Sequence, residues 1–260
     1  MSTDALGLRE QKKRETRQVI SDHATQLFLE HGFDRTTIAD IAAAARVAKM
    51  TVTNYFPRKE DLALDHHEAF VAGLAETVAR RPAGESALGA VRRLWEEALA
   101  RRDPVVGFTG REFAQMIADS PTLVARLRDL HEQREEALAR HLANETAPGG
   151  PTPGGPMTTR DEPGEPVAGH GEPVAARDEP VVADGGTAGS IGEPTDAHGE
   201  PVLARAVAAQ LAAADRLLFR DLQARTLAGQ GDDEIATALS AVARRVFGLL
   251  EPAIGDYAVH

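Results

Sequence analysis

All four lysines of the chain, Lys12, Lys13, Lys49 and Lys59, lie in its first sixty residues. A cluster of ammonium and guanidinium groups is suited to binding phosphates. Residues 1–60 carry ten Lys+Arg against eight Asp+Glu, a net +2, and residues 61–260 carry nineteen against thirty-two, a net −13. The total of −11 therefore conceals a basic head. Screening confines charge effects to about 8 Å in physiological salt, so a polyanion would respond to that head and not to the total. Lys12, Lys13, Arg14 and Arg17 crowd one short stretch, as candidate phosphate contacts or as a solvated helix face. Catalytic chemistry has no equivalent signal: no Ser/His/Asp elbow, phosphate loop or carboxylate pair stands out. His66 and His67 are adjacent. On a helix such neighbours diverge by about 100°, a poor start for a metal site. With no cysteine in the chain, neither a metal nor another cofactor is expected.

Two short helices would position the basic side chains. Thr37 and Asp40 have the spacing of a capping box, each side chain satisfying a backbone N–H of the other. Ile38, Ile41, Ala42 and Ala45 then fall on one helical face. Arg46 and Val47 interrupt the run. A second helix fits residues 48–54, with Val52 and Tyr55 inward, and Pro57 ends it by excluding its predecessor from the α region. Two such helices, joined by about three residues and crossing at the small Ala42, describe a helix-turn-helix.

Further residues make the pattern specific: His31-Gly32-Phe33, Thr36-Thr37-Ile38, Ile41-Ala42, Val47, and then Tyr55-Phe56-Pro57-Arg58-Lys59-Glu60-Asp61-Leu62. Over about residues 10–65 this resembles the DNA-binding domain of the TetR family of bacterial repressors. The resemblance implies an all-α protein, with an N-terminal three-helix helix-turn-helix domain and a larger helical domain for ligand binding and dimerisation. It implies a homodimer, paired through its last two helices, that binds a palindromic double-stranded DNA operator and is released by a small-molecule effector. It also implies that residues 48–54 enter the major groove, with Lys49, Thr51, Thr53 and Asn54 exposed. Lysine can pair with guanine and asparagine with adenine. Thr37, Tyr55 and Lys59 match positions that hold phosphates. Lys59 also stands in the first turn of a helix, where the macrodipole disfavours a cation unless an anion lies opposite. Three residues depart from the family pattern. Arg46 stands where glycine is common, and would either reshape the turn or touch the DNA backbone. Ala48 lacks a capping hydroxyl, and Thr53 replaces a frequent tyrosine.

At 260 residues and 42% hydrophobic content, with aromatics at 4%, the composition favours a helical core over a sheet. The spacing predicts a disordered arm over 1–8 and a DNA-binding domain over 9–57. A first ligand-domain segment covers 58–146 and the last helices cover 201–252. Helices are expected at 9–31, 58–80, 86–102, 111–118, 121–145, 202–228 and from 232 to just before Pro252. Residues 147–200 carry ten acidic residues against Arg160 and Arg177. They repeat GEPVAGH-like units every seven residues, and the proline in each clear unit forbids a coiled coil. A disordered acidic insertion is expected there. The first residues lack the apolar core of a signal peptide, and no apolar run approaches a membrane span. A cytoplasmic, nucleoid-associated protein is expected.

The effector cavity is expected among the middle helices, walled by Trp95, Phe108, Phe113, Met116, His131 and Arg134. Arg134 follows Leu127 and Leu130 at helical spacing, and would hold an anionic ligand or snorkel to solvent. Two alternatives stand beside this reading. One is a DNA-binding regulator without small-molecule control, acting constitutively or through a protein partner. The other is a helical enzyme or carrier that retains the motif.

Overall fold

The computed structural model describes residues 3–146, 195 and 201–259, which form ten α-helices and one 3-10 turn with no strand among them. The first helix, α1 (Thr3–His31), buries Ile20, Ala24 and Phe28 at four-residue steps. Gly32 ends it at φ +86°, donating to the Phe28 carbonyl at 2.8 Å. Phe33 folds back to 5.0 Å from the Phe28 ring, the apolar contact that accompanies such a cap. Val19, about 100° round the helix from Ile20, is 45% exposed. One expectation needs correction: the helix begins at Thr3, so residues 3–8 extend it where a disordered arm was expected. No proline stands in that stretch to break the ladder,.

Three short helices pack on α1: α2 (Ile38–Ala44), α3 (Lys49–Tyr55) and α4 (Lys59–Ala63). Ile41, Val52, Phe56 and Leu62 join Ile20, Phe28 and Phe33 in one buried cluster. Each such side chain contributes about 1.5–3 kcal/mol relative to exposure. The cluster is completed from outside the head, by Met116 of α7 (Arg111–Asp119) and Leu123 of α8 (Pro121–Thr146).

A second cluster forms the body, shared by α5 (His67–Ala79), α6 (Ala87–Arg101), α8, α9 (Val202–Leu227) and α10 (Asp232–Ile254). Ala204, Ala208 and Ala212 are buried along α9, and these small side chains let it lie close against its neighbours. Ser120 caps α8, its hydroxyl accepting the Leu123 N–H at 3.4 Å, with Pro121 in the first helical position,.

The single helix expected over 58–80 is instead two, α4 and α5, interrupted at 64–66. Leu64 has φ −112° and ψ 53°. Leu62 serves the head cluster and Leu74 the body cluster. On an unbroken helix they would point about 120° apart, and the interruption lets each half face its own core. The last helix also differs from expectation. It runs through Pro252 to Ile254, since proline in a final turn removes only one ladder bond. Its cap is Gly231; Asp232 lies in the first turn beside Asp233 and Glu234, where acids complement the macrodipole. The expected insertion at 147–200 lies outside the described residues, Thr195 apart. No helix among the described residues is long and apolar enough to cross a membrane.

Candidate nucleic-acid interface and ligand cavity

The capping box that opens α2 is complete. The Asp40 N–H donates to Thr37 Oγ at 3.2 Å, and Thr37 returns its own N–H and hydroxyl to Asp40 Oδ2 at 2.9 and 2.7 Å. The Thr37 hydroxyl, followed by its backbone N–H, holds the Asp40 carboxyl below the usual carboxylate range,. At the other end of α2, Arg46 adopts φ +54°. Its N–H donates to the Ala43 carbonyl at 3.2 Å, and the Val47 N–H reaches the Ala42 carbonyl at 3.0 Å. These are the two bonds of a Schellman cap. The turn therefore keeps the shape that glycine would give it, and an exposed arginine bears the left-handed conformation.

The next helix, α3, starts at Ala48 with no side-chain cap. Lys49 and Asn54 are exposed, whereas Thr51 and Thr53 are half-buried. The Thr53 hydroxyl donates back to the Met50 carbonyl at 3.1 Å. Met50 itself is 69% exposed and was not among the expected contact residues. Its signal is in the sequence: two positions from the buried Val52, it lies about 200° away, on the opposite face.

Two of the candidate cations, Arg17 and Lys59, have partners inside the protein. Arg17 donates to the Tyr55 carbonyl at 3.0 Å and covers the Phe56 ring at 4.3 Å. It fastens α1 to the end of α3, which corrects its reading as a free phosphate contact; Lys12, Lys13 and Arg14 stay exposed. Lys59 Nζ donates to the carbonyls of Phe33 and Thr36 at 2.8 and 3.0 Å, above the Phe33 ring at 4.1 Å. The negative group required by its place at a helix start is thus a pair of carbonyl oxygens. That leaves one of its three N–H donors for another acceptor. Tyr55 is half-buried against the head cluster.

Polar contacts tie this head to the rest of the chain. Ser21 Oγ donates to Asp65 Oδ2 at 2.6 Å, and Ser120 Oγ to Asp34 Oδ1 at 3.1 Å. Arg126 reaches Asp61 and also pairs with Asp129.

A cavity opens at the interruption between α4 and α5. Phe70, Phe113, Leu127 and Phe219 supply its apolar wall, and Asp65, His66, His67, Thr109 and Gln223 its polar groups. An apolar wall with a few polar groups is the lining that suits a small organic ligand. Of the expected residues, Phe113 lines it. His131 lines an adjoining cleft, with its ring edge-on to Phe70 and Phe219 at 4.9 and 5.1 Å. Burial pushes its imidazole down to about 4, against an upward pull from Asp215 and with a further push from Arg134,. The others lie elsewhere. Trp95 is 1% exposed and donates its indole N–H to Asp215 at 3.1 Å. Phe108 belongs to the body core and Met116 to the head cluster. Arg134 pairs with Asp215 at 3.0 Å, donates to the Phe70 carbonyl and lies 4.5 Å above the Phe70 ring. Its guanidinium is thus engaged by partners inside the protein and does not line the cavity. His67 contacts the Leu64 carbonyl through Nδ1 at 2.8 Å, and His66 is exposed. No group of three or more candidate metal ligands occurs among the described residues.

Residues 20–65 match the family described as bacterial regulatory proteins, tetR family. The HTH-type transcriptional regulator TcmR of Streptomyces glaucescens is 33% identical over 142 residues, 53% of this chain and 63% of TcmR. The chain thus spans less than two thirds of that relative's length. Among solved structures, NalD, the secondary repressor of the MexAB-OprM multidrug efflux pump in Pseudomonas aeruginosa, aligns at 17% identity and a TM-score of 0.45, covering 91% of this chain and 97% of NalD. The flavonoid-responsive regulator FrrA aligns at 20% identity and a TM-score of 0.40, covering 92% of this chain and 96% of FrrA.

Proposed function

Since the chain belongs to the TetR family of bacterial regulatory proteins, we propose that it is a homodimeric transcriptional repressor, released from a palindromic operator by a small molecule. The observation that carries the reading is the outward face of α3. Lys49, Met50 and Asn54 are exposed together on a head of net positive charge. In the major groove, Lys49 would face guanine, Asn54 adenine, and the Met50 side chain a thymine methyl. Arg46, Thr37, Tyr55 and the spare Lys59 donor would meet phosphates, with Thr51 and Thr53 at the margin of the contact. The acidic remainder of the chain limits non-specific affinity for DNA.

Dimerisation through α9 and α10 is supported by Leu217 and Leu249, apolar side chains 49% and 80% exposed. It would set two copies of α3 about 34–36 Å apart, one turn of DNA. The cavity at the α4–α5 interruption is where an effector would act. The work of such a repressor lies in the cytoplasm, on the nucleoid.

The test is selection of duplexes from a random pool, followed by fluorescence anisotropy across salt. A dimer neutralising about 6–10 phosphates loses about 10³–10⁵ in affinity between 50 and 200 mM salt. No enriched inverted repeat, or a flat salt response, rejects the proposal.

A further inference from the structure

The cavity at the α4–α5 interruption shares a wall with the second cleft, which runs between α7, α8 and α9. Ile117, Leu127, Phe219 and Gln223 line both. Phe219 belongs to both linings and packs edge-on in a triangle of rings, 5.9 Å from Phe70 and 5.1 Å from His131, which are 4.9 Å from each other. Ile117 and Leu127 remain only half-buried, although both are apolar and sit between packed helices.

The two ends differ in charge. Asp65 lines the first, with His66 and His67 beside it and His66 3.8 Å from its carboxylate, whereas the second carries Arg128 and Arg220 and no carboxylate. Both arginines are exposed. Their neighbours in sequence are neutralised: Arg126 by Asp61, Arg134 by Asp215 and Arg216 by Glu135. No such carboxylate pairs with Arg128 or Arg220 among the described residues. In a chain of net charge −11, this mouth is a local reversal of sign. His131, neutral at pH 7, adds a hydrogen-bonding group without charge.

We infer that the two clefts are halves of one channel, and that its ligand is an elongated amphiphile. The aromatic or apolar body lies against Phe70, Phe113 and Phe219, and the anionic end is held by Arg128 and Arg220. The anion is drawn to the end that Arg128 and Arg220 line, so the ligand lies in one orientation. Guanidinium groups form charge-assisted hydrogen bonds to carboxylate, sulfonate or phenolate oxygens, about twice as strong as neutral ones. This assignment rests on the proposal that a small molecule controls the protein, and it adds the chemical class and polarity of that molecule.

The test uses the full chain and two fluorescent probes with the same ring system, 1-anilinonaphthalene-8-sulfonate and the uncharged N-phenyl-1-naphthylamine. The sulfonate should bind once per chain. Arg128→Gln with Arg220→Gln should weaken it about tenfold or more, leaving the uncharged probe within about twofold. Leu127→Trp, at the shared wall, should weaken both, with circular dichroism confirming the fold. Absence of sulfonate binding, an unchanged sulfonate affinity in the double variant, or an equal loss of both probes overturns the channel. Release of operator DNA is read separately by anisotropy. If the sulfonate binds as described while DNA stays bound, the channel stands and ligand-controlled release fails. If the uncharged probe releases DNA, and the sulfonate is indifferent to the arginines, release stands and the channel fails.

Discussion

Arg126 of α8 grips Asp61 of α4 with two donors, Nε and Nη2, at 3.0 and 2.9 Å from one carboxylate oxygen. The side chains are 10% and 8% exposed, so the pair is withdrawn from water on both sides. It joins the N-terminal head to the body. Arg126→Ala leaves a buried carboxylate without its partner and should cost about 3–5 kcal/mol, read by urea denaturation of the full chain. Exchange of both residues for apolar ones of similar size should restore much of that loss.

Arg46 holds a left-handed backbone conformation that costs an L-residue about 1–2 kcal/mol. Arg46→Gly removes that strain, at the cost of a more flexible unfolded chain. A net gain of about 0.5–1 kcal/mol in stability is expected. If Arg46 meets a phosphate, the same substitution should reduce the slope of log affinity against log salt by about 1 per subunit. Stability and DNA affinity would then move in opposite directions.

On α3, Lys49→Ala and Asn54→Ala should each cost about 1–3 kcal/mol in operator binding and relax the preference at one base pair per half-site. Met50→Ala should loosen selection for thymine and leave the salt slope unchanged. Selection from a random pool, repeated for each variant, measures all three.

His131 ties stability to pH. Burial lowers its folded-state pKa to about 4 from 6.5, so below pH 6.5 protons bind the unfolded chain first. The stabilisation from a neutral buried imidazole is complete above that value and is lost between pH 6.5 and 4, reaching roughly 3 kcal/mol. Urea midpoints measured across this window should fall in the parent and fall less in His131→Phe.

The head was legible in the sequence because its logic is local. The Thr37–Asp40 box, Gly32 and Phe33, and the face of α3 opposite Val52 all follow from spacings of one to four residues. The Arg46 turn was half legible: the departure from glycine was visible, but not that arginine would adopt the same shape. What failed depended on distant partners. Arg134 was read as a ligand group because Asp215, eighty-one positions on, cannot be paired with it by periodicity. The carbonyls that Lys59 meets, those of Phe33 and Thr36, are likewise too distant in sequence for helical spacing to reveal. The interruption of α4 from α5 leaves no Gly or Pro mark in the sequence, since it is set by the two cores that Leu62 and Leu74 must reach.

Met116 and Leu123 belong by chain position to the body and by packing to the head's core. A fragment cut at residue 65 would keep every residue matched to the family and still expose part of its own interior. The matched segment is therefore a sequence module whose core is completed by the rest of the chain. A tilt of α7 would move the floor under α1 directly, by a route that bypasses α4.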